Sequence, residues 1–163
     1  WDTDFVSFFE VSIGTSRIYS ILRGLSHLFQ GDIKAQVKTA VFATIPDETH
    51  ILGVRMAADL FAKEGWEIDL IVGKTHDELV EQISRSSCRI IGLSAGGKHS
   101  AAALARLVIA LRISNPAAAI FLSGQITSKA KDVIEVMGLD GVVSDIPSAL
   151  ELANDIWDRS TTQ

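Results

Sequence analysis

The sequence predicts a doubly wound α/β domain, Rossmann-like and flavodoxin-like in architecture, with a five-stranded parallel sheet in the order 2-1-3-4-5. Three observations carry that expectation. From about Lys38 onward, short β-rich runs alternate with longer amphipathic ones five times over, as repeated βα units do. Most of the β-rich runs are continuous aliphatic stretches, which strands buried on both faces require. The connections are short, so successive elements pack beside one another.

Strands are expected at Thr39 to Ile45, Glu67 to Val72, Arg89 to Ser94, Ala118 to Ser123 and Gly141 to Val143. The first helix, Ile51 to Glu64, places Ile51, Val54, Ala58 and Phe61 at spacings of three and four, and Gly65 stops it. Thr75 to Ser84 opens on a capping box, Thr75 with Glu78. Ser100 to Ser114 is rich in alanine and leucine and ends before Asn115-Pro116, Ser128 to Met137 ends at Gly138, and Ser148 to Trp157 opens after Pro147. These elements define a domain over residues 37–163. Residues 1–36 differ: Phe5, Phe8 and Phe9, then Ile18, Ile21, Leu22, Leu25, Leu28 and Phe29, follow helical spacing around a break at Gly14. They are expected to form a helical extension serving as an interface or a partial cap.

At 163 residues the chain is long enough for one ordinary core. Its net charge of −5 and scattered basic residues argue against direct nucleic-acid binding. No apolar stretch reaches membrane-spanning length and no signal peptide is recognisable. The single cysteine, Cys88, excludes an internal disulfide framework and reads as a small core residue. That usage fits a cytoplasmic location. The start at Trp1 suggests a piece of a longer parent.

In such a sheet, ligands bind beyond the carboxyl ends of the strands, near the switch in strand order. The loops there are Pro46-Asp47-Glu48-Thr49-His50, Ser94-Ala95-Gly96-Gly97-Lys98-His99 and Ser123-Gly124-Gln125. A phosphoacceptor receiver is excluded because Ser94 stands where an aspartate is needed and no lysine follows the fifth strand. The first loop lacks G-x-G-x-x-G, which excludes a dinucleotide site, and Gly92 to His99 imitates a phosphate loop without the magnesium-binding hydroxyl. No paired acids or activated nucleophile mark an independent enzyme. What remains is His50, with Glu48 two residues before it and Gly53 three after. Imidazole suits transition metals, and a carboxylate on its second nitrogen fixes the tautomer. The motif alone fits equally an exposed loop histidine beside a capping acid.

Glu48-x-His50-x-x-Gly53, with a serine ending the third strand and glycine after the fourth, resembles the cobalamin-binding domain family, whose signature is D-x-H-x-x-G, then S-x-L, then G-G. The resemblance spans about residues 38 to 157. It implies cobalamin as cofactor and His50 as the lower axial ligand of cobalt, in place of the cofactor's own dimethylbenzimidazole. Glu48 then hydrogen-bonds His50, Gly53 clears space for the displaced nucleotide tail, and Ser94, Gly96, Gly97, Ser123 and Gly124 line the tail's slot. Three positions depart from the signature: Glu48 replaces aspartate, Gly96 replaces leucine and Ser123 replaces the first paired glycine. The longer Glu48 implies a bent or water-mediated bond to His50, and the Ser123 side chain a narrower slot.

The wording Ile51 to Phe61, followed by Gly65-Trp66, is similar to a regulatory branch found in purple bacteria. That branch contains light-responsive antirepressors of photosynthesis genes and a related haem-sensing domain. It implies a transcriptional repressor as partner and a photoreceptor or cofactor-sensing role without catalysis. The alternatives are a corrinoid-carrying module of a methyltransferase or mutase, a haem or other tetrapyrrole sensor ligated through His50 or His99, and a cofactor-free interaction module. His99, Lys98 and Gln125 are candidates for contacts to cofactor amides. His27 and His76 read as helix-surface residues, and Trp66 and Trp157 as packing residues rather than a light antenna.

Overall fold

The computed structural model describes residues 37–161 together with Arg17, Ile18 and Ile21. The expected helical segment over residues 1–36, with His27, otherwise lies outside the described residues. β1 (Lys38–Thr44), β2 (Trp66–Ile71), β3 (Ile90–Ser94), β4 (Ala119–Ser123) and β5 (Gly141–Val142) form one parallel sheet in the order β2-β1-β3-β4-β5. This is the predicted topology, and it puts the switch point between β1 and β3.

Each face of the sheet has its own core. Val41, Ala43, Ile91, Leu93, Ile120 and Leu122 face a cluster completed by α2 (His76–Arg85), α3 (Ala101–Ser114) and the short α4 (Ile126–Lys129) and α5 (Lys131–Glu135). Ala40, Phe42, Ile90 and Phe121 face the other, under α1 (Leu52–Lys63) and α6 (Ile146–Thr161). Both faces are covered, which is why the strands read as unbroken apolar runs. On the second face Phe61 packs on Phe42 at 4.8 Å between centroids and on Trp66 at 5.6 Å, and Trp66 packs on Trp157 at 5.7 Å. Both tryptophans are buried packing residues, as expected. Cys88 packs half-buried against the first core, and burial pushes its thiol pKa up.

Local rules account for most boundaries. Thr75 caps α2 with the full capping box: Thr75 N–H donates to Glu78 Oε2 at 3.0 Å, and Glu78 N–H to Thr75 Oγ1 at 3.4 Å. Two expectations require correction. The helix read as Ser128 to Met137 is two short helices meeting at Ala130, whose backbone leaves the helical region at φ −142° where it is drawn into the core at 3 % exposed. The last helix begins at Ile146, before Pro147. Proline is tolerated in a first turn, and Asp145 caps that turn by accepting Ser148 N–H at 2.8 Å. Among the described residues no helix is long and apolar enough to cross a membrane.

Candidate functional site

The carboxyl ends of β1, β3 and β4 converge as the sheet order requires. After β1, the chain turns sharply at Ile45–Glu48, with Glu48 N–H donating to Ile45 carbonyl at 3.3 Å. Pro46 presets the second position, and Asp47 takes φ 62° at the third, a left-handed conformation that aspartate accepts more readily than most residues. The turn drops Glu48 into the protein, its side chain 3 % exposed, and leaves His50 72 % exposed above it.

Glu48 is fully engaged there. Its Oε1 accepts His50 backbone N–H at 2.9 Å and lies 2.8 Å from His50 Nδ1, while its Oε2 accepts Gly96 N–H at 2.6 Å. Burial pushes the Glu48 pKa up, but the His50 backbone bond, the His50 ring and Gly96 N–H together outweigh it and hold the carboxyl below its ordinary range. The Glu48–His50 contact is thus direct, not water-mediated: the extra methylene lets one oxygen reach the imidazole and the other the next loop. With Nδ1 turned to the carboxylate, a proton there leaves the Nε2 lone pair free for a metal. Among the described residues no three His, Cys, Asp or Glu side chains gather into a metal cage. A single histidine suits a metal that brings its own equatorial ligands.

Beside this loop lies a cavity of about 310 Å³. Phe42, Gly92 and Phe121 form its sheet wall, Gly53, Val54, Met56 and Ala57 come from α1, and Ile146 and Ala149 from α6. The sheet wall follows from register, since Phe42 pairs with Gly92 and Gly92 with Phe121. Gly92 permits it: a Cβ there would stand 2.7 Å from Phe121 and 2.9 Å from Phe42, so both rings lean over the glycine. Two residues further on, Thr44, Ser94 and Ser123 form a row of hydroxyls in the same register. Ser94 and Ser123 line the cavity, Ser123 Oγ donates to Leu93 carbonyl at 3.3 Å, and buried Thr44 Oγ1 has no hydrogen-bond partner among the described residues. The walls are mostly apolar with a few polar groups, as in small-molecule sites generally.

The predicted residues therefore divide. Gly53, Ser94, Ser123 and Gly124 meet at the cavity, and Glu48, His50 and Gly96 meet at the histidine loop. Among the described residues, a Cβ at Gly53 would meet nothing within 4 Å. At Gly124, φ is +101° and a Cβ would fall 2.3 Å from Ala95 carbonyl, so only glycine fits. Gly97 is not at the cavity; its missing side chain makes room for the His99 ring. His99 and Lys98 are exposed, His76 is half-buried, and Gln125 is exposed with its Oε1 bound by Lys129 Nζ at 2.8 Å. Sequence reasoning missed Phe42, Phe121, Met56, Ala57, Ser144, Asp145, Ile146 and Ala149. Gly92, a glycine inside an aliphatic strand, was the available signal for a close approach there.

Comparison with known proteins gives a consistent picture. The B12 binding domain family matches residues 38–152. No curated protein matches the sequence. Among solved structures, the chain resembles a cobalamin-binding protein from Desulfitobacterium hafniense DCB-2 at TM-score 0.65 and 16% identity, over 73% of this chain and 58% of that one, so it spans little more than half of that protein's length. It also resembles the monomethylamine corrinoid protein of Methanosarcina barkeri at TM-score 0.76 and 14% identity, covering 96% and 74% of the two chains. A response regulator from Burkholderia pseudomallei aligns at TM-score 0.51 and 13% identity over 76% and 72%, sharing the fold. From the first strand into the last helix the family match takes in the histidine loop and the cavity together, and the chain belongs to the B12-binding domain family.

Proposed function

We propose that this cobalamin-binding domain is a corrinoid carrier, with His50 as the lower axial ligand of cobalt and the upper face presented to a partner protein or domain. The observation that carries it is the imidazole whose Nδ1 is held by buried Glu48 while the rest of the ring stands exposed, on the loop that leads into the helix whose Gly53 and Val54 line an apolar cavity. When bound, the corrinoid supplies cobalt–carbon chemistry. The chain's own work is to bind and orient. Glu48 fixes the ring and raises its donor strength. Phe42, Phe121, Val54 and Ala149 offer an apolar slot for the nucleotide tail, with the Ser94 and Ser123 hydroxyls, paired in register, for its polar atoms. The corrinoid protein and the cobalamin-binding protein that share this fold support the reading.

A second reading, a cytoplasmic light- or cofactor-responsive antirepressor acting on a transcriptional repressor, draws on the wording Ile51 to Phe61 and Gly65-Trp66. Packing accounts for much of that wording: Phe61 and Trp66 are core residues, and Gly65, at φ +85°, reverses the chain between α1 and β2. It serves a carrier equally well, so the carrier reading stands first.

The test is an absorption titration with hydroxocobalamin, and with haemin in parallel. A shifted corrin spectrum that His50→Ala converts to one lacking histidine ligation is the expected result. An unchanged spectrum in that variant would refute the assigned ligand, and a sharp Soret band without corrinoid binding would replace cobalamin with haem. Illumination that alters association with a partner would move the assignment to the regulatory reading.

A further inference from the structure

We infer that Glu48 and Gly96 are a matched positioning pair, in which glycine at 96 exists to receive the longer carboxylate at 48 and so to hold the His50 ring. Its purpose, though not its geometry, rests on the corrinoid-carrier reading.

The backbone does not ask for glycine at 96. Its φ is outside the left-handed region, unlike Gly65, Gly73, Gly124 and Gly138, so an L side chain is conformationally acceptable. What stands in its way is the carboxylate. A Cβ at Gly96 would stand 2.7 Å from Glu48 Oε2 and 3.3 Å from both Cδ and Oε1. The same carboxylate accepts Gly96 N–H at 2.6 Å, so the glycine is both the vacancy into which Glu48 extends and the donor that fixes it there.

The consequence falls on His50. Glu48 is the far end of a side chain, so a methyl at residue 96 displaces it more readily than the backbone. Displacement, however, disturbs the contacts of Oε1 with the His50 backbone N–H and ring. A change at Gly96, which lines neither the cavity nor the ring, therefore reaches the metal ligand through Glu48. The two departures from the family signature at these positions are also linked by this contact. An aspartate at 48, one methylene shorter, withdraws from Gly96 N–H and leaves the space that a leucine at 96 takes up.

The test uses ¹⁵N-histidine-labelled protein, first without and then with hydroxocobalamin. In the free protein, NMR of the His50 ring should show a dominant Nδ1–H tautomer, and Gly96→Ala should move it toward the mixed tautomers of an unrestrained histidine. The far-UV circular dichroism and unfolding midpoint should change little by comparison. In the loaded protein, Gly96→Ala should weaken hydroxocobalamin binding by about tenfold to a hundredfold. After one-electron reduction of the bound cobalt(III) to cobalt(II) with an added chemical reductant, the ¹⁵N splitting of the axial ligand in the electron paramagnetic resonance spectrum should be reduced or lost. Glu48→Asp with Gly96→Leu should recover that splitting relative to Gly96→Leu alone. Should Gly96→Leu fail to fold, Gly96→Ala alone decides. An unchanged ring tautomer and full axial splitting in Gly96→Ala, or no recovery in the double variant, would overturn the pair. Native protein that binds no corrinoid would refute the carrier reading instead, and the free-protein tautomer would still decide the pair.

Discussion

Gly53 gives a test in which stability and binding move in opposite directions. It is the second residue of α1, exposed, at the cavity wall, with nothing among the described residues within 4 Å of a Cβ built on it. Glycine inside a helix costs about 1 kcal/mol relative to alanine, and less in a first turn. Gly53→Ala should therefore stabilise the free protein by about 0.5 kcal/mol, raising the unfolding midpoint by roughly 1–2 °C for a chain of this size. Gly53→Leu places a branched side chain in the cavity of about 310 Å³. A bicyclic base comparable with a large aromatic side chain buries about 200 Å², worth about 5 kcal/mol at 25 cal/mol per Å². Expelling it entirely would weaken cobalamin binding by up to about three to four orders of magnitude, an upper limit because partial entry retains part of the burial. The assay pairs thermal unfolding with titration of hydroxocobalamin and of cobinamide, which lacks the nucleotide tail. Gly53→Leu should lose cobalamin affinity, keep its cobinamide affinity, and unfold no earlier than the native protein. Equal cobalamin affinity in Gly53→Leu, or a parallel loss for cobinamide, would refute the assignment of this cavity to the tail.

Other perturbations separate the histidine loop from the core. His50→Ala should change free-protein stability by no more than about 1 kcal/mol, since the side chain is exposed, and should abolish histidine ligation in the cobalamin spectrum. Gly92→Ala forces a Cβ against Phe121 and Phe42 and should cost about 1–3 kcal/mol by overpacking, measured by denaturant unfolding, with the displaced rings narrowing the cavity and weakening cobalamin. Thr75→Ala should cost about 1 kcal/mol through loss of the α2 cap. Glu78 lies below its ordinary pKa because Thr75 backbone N–H and hydroxyl donate to it and Lys74 is nearby. Its contribution is therefore complete above the usual carboxylate pKa and disappears as pH falls through the lower folded value. Unfolding midpoints across that acidic window should fall more steeply in the native protein than in Glu78→Gln.

What was legible in the sequence is what local pattern determines. The strands, their order and the α2 capping box depend on hydrophobic runs, short connections and a four-residue signal, and each stands where expected within one or two residues. The break at Ala130 was not legible, because the stretch after Gln125 carries no glycine or proline before Gly138. Ile126, Ala130 and Ile134 all lie in one core, but their spacing of four is one a continuous helix also supplies, so burial does not account for the break. The start of α6 was misread because Pro147 looked like a boundary, when Asp145 supplies the cap that lets the helix begin ahead of it.

The site shows the same division. Glu48, His50 and Gly53 sit within six residues, so spacing alone marks them; the cavity's sheet wall is assembled from residues about thirty to fifty apart in sequence, and only register brings Phe42, Gly92 and Phe121 together. The two halves also have different physics. The cavity offers apolar area, which gives affinity with little directional demand, whereas the Glu48 carboxylate imposes direction on one ring through short contacts. A change in the cavity should therefore alter how much corrinoid is held without altering its axial ligand, and a change at Glu48 or Gly96 should alter how the cobalt is ligated and, only through that, the affinity. A variant such as Glu48→Gln that reduced affinity for cobinamide and cobalamin alike, while leaving every bound cobalt ligated by His50, would contradict that separation.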